Sequence, residues 1–213
     1  MTTKQNIWVV VGLLVLAGGL IGLSSLLRSA PAATESSPLL ALAQDDHIKG
    51  AATSTIVLVE YLDFECEACG AYYPLVKQLE EEYGDRVAFV ARYYPLQGHR
   101  NALPAAYAAE AANRQGKFWE MHDLLFTRQK DWGEKQVATP EVFEGFALEL
   151  GLNMEQFKAD VASAEVAARV KRDQDAGNEL GVKSTPTFFL NGKRIQNPQS
   201  YEAFKALLEA ELR

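Results

Sequence analysis

Apolar and polar positions alternate along this chain in three distinct ways, and each predicts a different kind of element. Residues 7–27, "IWVVVGLLVLAGGLIGLSSLL", hold no charged side chain. As a helix this run would be about 31 Å long, enough for the core of a bilayer. A cleaved signal peptide usually has a shorter apolar region of ~7–15 residues. The small residues of "SAPAA" after Arg28 are nevertheless of the kind that cleavage sites use. Residues 1–28 are therefore expected to form a membrane anchor, with a signal peptide as the alternative, and either would export the rest of the chain.

From residue 51 the pattern is that of a folded domain. Thr55 to Leu62, "TIVLVEYL", is a β-branched run of the buried-strand type. The helix after it puts Tyr72, Val76, Leu79 and Tyr83 on one face and stops at Gly84, with a kink expected at Pro74. Arg86 to Tyr94, "RVAFVARYY", reads as a second strand, parallel to the first. About residues 99–163 the periodicity is helical throughout. Pro104 opens one helix, Thr139-Pro140 caps another, and Asn153 with Gln156 resembles a capping box. A helix through "EVAARVKRDQDAGNEL" then leads to Thr187–Leu190, an Asn191-Gly192 turn and Lys193–Ile195, a hairpin. Tyr201 to Leu212 closes the pattern as an amphipathic helix. Residues 29–50 lack periodicity and contain Pro31 and Pro38, so they read as a tether.

Composition narrows the function classes. Hydrophobic residues make up 48% and charged residues 23%, as in globular proteins. Residues 1–28 carry only Lys4 and Arg28, leaving nineteen basic against twenty-eight acidic side chains from residue 29 on. Such a surface repels phosphate backbones, which excludes nucleic acid.

The chemistry lies in "YLDFECEACGAYYP", which holds both cysteines, Cys66 and Cys69. A zinc site would need two further ligands at short spacing, and His47, His99 and His122 stand apart from one another. A passive staple across so small a loop contributes only ~2 kcal/mol. A redox couple accounts for more, because Cys66 would sit at the N-terminus of a helix that follows a strand. Unpaired N–H groups and the helix dipole stabilise a thiolate there. Cys69, one turn later, could resolve a mixed disulfide.

With these residues, "QGKFWEMHDLLF" and "GVKSTPTFFLNG", the chain from about Asp45 to Arg213 resembles the DsbA-like thiol-disulfide oxidoreductases. The resemblance implies an α/β, thioredoxin-like fold with an inserted helical domain. It also implies a cis Pro186 facing the cysteines and backbone groups of Thr185 that meet the substrate. A buried acid at Glu60 would assist proton transfer. Phe64 is expected to line a substrate groove, with Tyr72 and Tyr73 near it. The dipeptide between the cysteines, Glu67-Ala68, is expected to tune the couple. It supplies no cation, so the helix dipole should carry most of the thiolate stabilisation. The implied partners are exported proteins with free thiols and a quinone-linked membrane reoxidant of the DsbB or VKOR type. No cofactor, no metal and a monomeric state are expected. The alternatives are a reductase or isomerase of the same fold, or a non-catalytic polypeptide-binding module.

Overall fold

The computed structural model describes residues 37–135 and 137–213. Five strands form one sheet: β1 (His47–Gly50), β2 (Val57–Leu62), β3 (Ala88–Tyr93), β4 (Thr187–Leu190) and β5 (Lys193–Arg194), in the order β1-β3-β2-β4-β5. The central pair β2 and β3 is parallel, as the two apolar runs predict, and the remaining pairs are antiparallel. Asn191 and Gly192 turn β4 into β5 with φ of 49° and 77°, the left-handed pair that such a hairpin requires. The Asn191 side chain also accepts from the Val57 N–H at 2.9 Å, which fixes the hairpin to β2.

Alternation along the strands builds two cores. Leu58 meets Leu79 and Tyr83 of α1 (Glu67–Tyr83), Phe188 of β4, and Phe204 and Leu208 of α8 (Tyr201–Glu211). Val59 and Tyr61 face the other way, toward Val90, Tyr94, Val182 and Phe189. That second face is covered by α7 (Ala164–Glu179), where a side chain on Gly177 would collide with Tyr94 and Tyr61. Each large apolar side chain buried this way contributes roughly 1.5–3 kcal/mol. α1 continues through Pro74 to Tyr83.

The expected helical insert is present between β3 and α7. Its helices are α2 (Ala102–Asn113), α3 (Phe118–Thr127), α4 (Gln129–Trp132), α5 (Pro140–Glu149) and α6 (Met154–Val161). Alanines let α2 be enclosed by α3, α5, α6 and α7, because a helix with short side chains can be approached closely on several sides. Asn153 caps α6, accepting from the Gln156 N–H at 3.0 Å, but the expected box is only half formed, because the Asn153 N–H donates to the Gln115 side chain at 2.8 Å rather than to Gln156. Thr139 does not cap α5 with its side chain. Its N–H and hydroxyl turn instead to the buried Asn101 amide oxygen.

The tether requires correction. Its first residues, like the expected anchor at 7–27, lie outside the described residues. Among the described residues no helix is long and apolar enough to cross a membrane. Residues 37–50, however, are folded: Pro38–Leu40 is a 3-10 turn and β1 is an edge strand on β3. The cause is Arg92 on β3, whose buried guanidinium would be costly without partners. It binds the Asp46 carboxylate at 2.8 and 3.1 Å, the Leu39 carbonyl at 2.5 Å and the Ala41 carbonyl at 2.9 Å. Leu40 enters the second core, and His47 contacts Glu110 of α2 at 2.9 Å. Arg92→Met should therefore leave Asp46 as an uncompensated charge and cost about 3–5 kcal/mol in denaturant unfolding. An unchanged midpoint would restore the tether reading.

Candidate redox site

β2 ends at Leu62, the chain turns through Asp63, Phe64 and Glu65, and Cys66 stands at the N-cap of α1 in extended conformation. Its N–H donates to the Asp63 carbonyl at 3.1 Å. Serine, threonine, asparagine or aspartate usually occupies this position and bonds the orphan N–H groups of the first turn. As a thiol, Cys66 makes no such bond. As a thiolate it is held by four donors, the Cys69 thiol first, then the Thr185 hydroxyl and the backbone N–H groups of Cys69 and Ala68. These outweigh burial and lower the Cys66 thiol from its ordinary 9 to about 5. Cys69 moves the other way. It is 0% exposed against 8% for Cys66. Burial, its bond to Cys66 and the negative charges of Glu60 and Cys66 raise its thiol well above the ordinary value. Both sulfurs are unbonded here. The arrangement can hold one thiolate that attacks or leaves and one thiol that keeps its proton.

Thr185 and Pro186 reach Cys66 because β4 pairs with β2, Thr187 lying opposite Tyr61. The Thr185-Pro186 bond is cis, and the Thr185 carbonyl accepts from the Cys66 thiol at 3.4 Å. The Thr185 hydroxyl is buried without a partner in the thiol state, which leaves it free for the thiolate. Glu60 lies two residues after Leu58, hence on the α1 side of the sheet. It is half-buried, and burial foremost, with Glu80 and Cys66 behind it, raises its carboxyl to about 8.

Two expectations change. Phe64 cannot line a groove for substrate: it is 1% exposed and packs on Phe126 of α3 at 5.1 Å, with Tyr93 and His122 around it. Tyr73 stacks on the same Phe126, and Tyr72 leans on Phe188. Ala68 acts through its N–H rather than its side chain. Glu67 is exposed, on the rim of a depression it shares with Lys130 and Lys135, so solvent screens its charge. Beside the N–H groups of the helix N-terminus, the Cys69 thiol and the Thr185 side chain also lower the Cys66 thiol.

The fold brings further groups to the site that local sequence does not announce. Glu65, 3% exposed, accepts from the Asn101 N–H at 2.5 Å and the Glu134 N–H at 3.0 Å, locking the turn onto the insert. The Gln129 amide donates to the Phe64 and Cys66 carbonyls at 2.8 and 2.9 Å. A side chain at Gly70 would strike that same amide and displace it from the two carbonyls. Asp63 pairs with His99 at 2.7 Å. The acidic character of "DFECE" was visible, but its partners lie far along the chain. Among the described residues no group of three or more His, Cys, Asp or Glu side chains is arranged to hold a metal ion.

Glu60 yields a pH test. Its carboxyl keeps a proton in the fold up to about pH 8, whereas an ordinary glutamate loses it near 4.5. Between those values the folded state binds more protons, so this group's contribution to stability is lost as pH rises through the window. Glu60→Gln should gain on the parent protein from about pH 4.5 to 8 and hold a constant lead above that. Parallel denaturant midpoints across the window would show that the carboxyl is not shifted.

A family model described as Thioredoxin matches residues 42–210. Alpha-DsbA1 from Wolbachia pipientis superposes with a TM-score of 0.74 at 19% identity, covering 82% of this chain and 94% of that one. Oxidised BdbD from Bacillus subtilis superposes at 0.69 with 25% identity, covering 78% and 92%. Among curated proteins, Na(+)/H(+) antiporter NhaA 3 of Salinispora tropica is 40% identical over 162 residues, 76% of this chain but 24% of that one. NhaA of Herminiimonas arsenicoxydans is 39% identical over 168 residues, 79% and 26%. The chain thus spans about a quarter of the length of these curated relatives, and three quarters of each lies outside the match. The family match over most of the chain decides its membership: the chain belongs to the thioredoxin family, and its fold, with the insert set between β3 and α7 above a Cys-x-x-Cys helix start, is that of the superposed alpha-DsbA1 and BdbD structures.

Proposed function

We propose that the protein is an extracytoplasmic thiol-disulfide oxidoreductase that introduces disulfides into exported proteins, held at the membrane by residues 7–27. The observation that carries this reading is the unequal placing of the two cysteines: Cys66 stands at the helix N-cap against the carbonyl of Thr185 and the cis Thr185-Pro186 bond, while Cys69 is fully buried one turn on, which lowers the first thiol and raises the second. In the oxidised form a substrate thiolate attacks Cys66, the Cys66–Cys69 bond breaks, and the Cys69 sulfur leaves and takes up a proton. Glu60, with a carboxyl near 8, is the nearby acid suited to supply it. A second substrate thiolate then attacks the substrate sulfur of the mixed disulfide, and Cys66 leaves as a thiolate. A low thiol pKa makes it a good leaving group. Two electrons pass from the substrate to the cysteine pair, and the substrate gains a disulfide. Stabilising the Cys66 thiolate stabilises the reduced form, which is what makes an oxidant. Thr185 presents its backbone to the substrate beside Cys66. Two electrons would then pass to a quinone-linked reoxidant in the membrane as the Cys66–Cys69 bond re-forms; the Cys69 thiol gives up its one proton, and the second proton the quinone takes comes from solvent.

The antiporter names of the long relatives do not extend this reading. Ion transport is not proposed for a chain that matches only a quarter of their length.

Iodoacetamide at about pH 6 should alkylate Cys66 of the reduced protein first and leave Cys69 unlabelled; faster labelling of Cys69 would reverse the assigned roles. Cys66→Ser should keep the native circular dichroism spectrum and lose oxidation of a reduced, unfolded test protein. Retained oxidation in that variant would refute the redox reading.

A further inference from the structure

The sheet edge beside Thr185 ends in a side chain rather than in a strand. Carbonyls of alternate residues point to the same side of a strand. On the side of β4 that faces β5, the Phe188 carbonyl accepts from the Ile195 N–H at 3.0 Å. β5 is only Lys193–Arg194, so it does not extend to the next acceptor on that side, the Pro186 carbonyl. Asn197 meets it instead, Nδ2 donating to the Pro186 carbonyl at 2.8 Å. The carbonyl of the preceding residue, Thr185, is the one that lies 3.4 Å from the Cys66 sulfur. Two successive backbone acceptors thus stand at the redox site, one turned to the sulfur and the other covered by an amide.

Asn197 is fixed in this position from both sides. Ile195 before it is bonded to β4, and the buried Pro198 after it restricts its backbone to extended conformations. The Gln199 amide donates to the Asn197 carbonyl at 2.9 Å and to the Tyr72 hydroxyl of α1 at 3.3 Å. Ser200 then caps α8, accepting from the Ala203 N–H at 3.2 Å. The donor is aimed before any substrate arrives.

We propose that Asn197 is a positioning residue for the substrate polypeptide: by closing the Pro186 carbonyl it confines backbone pairing to Thr185 and so brings the substrate cysteine opposite Cys66. The inference rests on the proposed meeting of the substrate with the Thr185 backbone. An open acceptor at the end of a sheet edge invites an extended chain to pair there. Pairing one residue away turns every side chain to the other face, and the substrate sulfur would then point away from Cys66. Asn197 removes that register by occupying its acceptor.

Two thiols of different kind test this against the oxidised protein. An unstructured cysteine-containing peptide has a backbone to pair, and dithiothreitol has none. Asn197→Ala should react with the peptide at least about threefold more slowly, the smallest effect expected from losing one hydrogen-bonded contact. Its rate with dithiothreitol, its reduction potential and its Cys66 titration midpoint should not move. Asn197→Asp has no N–H to give and should lose as much in the ratio of peptide to dithiothreitol rates. Asn197→Gln keeps the amide and should recover part of that ratio. An unchanged peptide rate in Asn197→Ala, or aspartate and glutamine variants that behave alike, would overturn the proposal. So would an equal loss with both thiols, the mark of a merely structural bond. In each of these cases the redox reading of Cys66 and Cys69 stands. An unaltered oxidised protein that exchanges with neither thiol would overturn that reading and the proposal with it.

Discussion

The helix that begins at Glu67 has a sulfur where most helices have an oxygen. An N-terminal turn leaves N–H groups without partners, and a hydroxyl or carboxylate normally satisfies one of them at all times. Here the only candidate is Cys66, and a thiol is a poor acceptor. The first turn is therefore better satisfied when the sulfur is charged, and the remaining features of the site favour that state. β2 and β4 bring Thr185 to the sulfur, the buried Cys69 thiol donates to it, and the turn of Asp63 to Glu65 holds its backbone still.

Holding that turn requires the insert. The Gln129 amide closes over the Phe64 and Cys66 carbonyls, and Glu65 takes N–H groups from two separate insert segments. Phe64 is anchored in the same direction, under α3. The helical domain is thus the far wall of the redox site rather than a separate module attached to it. The buried acids of the cysteine turn follow one rule: Asp63 and Glu65 are each bonded by backbone N–H groups, and Asp63 by a histidine as well. Glu60, whose carboxyl finds no cation among its leading influences, is the acid that keeps its proton into mildly basic pH.

The cysteine pair, the strand before it and the helix after it could be read from sequence because their signals are local. The same holds for the Asn191-Gly192 hairpin and the Asn153 cap. What escaped were interactions whose partners are distant in the chain. Nothing near Asp46 announces Arg92, and a four-residue edge strand is too short for its period to show, so residues 37–50 read as a tether in sequence. His99 stood alone among three scattered histidines, although Asp63 sat in the stretch already singled out. The burial of Phe64 is not legible either, because an aromatic side chain beside a reactive centre looks the same in sequence whether a helix covers it or not.

One consequence concerns protons rather than residues. Reducing an ordinary disulfide near neutral pH binds two protons with the two electrons. Here Cys66 would remain unprotonated above about pH 5 while Cys69 takes one up. From about pH 5 upward the pair then binds close to one proton per two electrons. Its reduction potential would fall by about 30 mV per pH unit where a pair of ordinary thiols falls by about 59 mV. Acidification would then change the driving force of the pair toward any ordinary dithiol, since that dithiol binds both protons and this pair binds one.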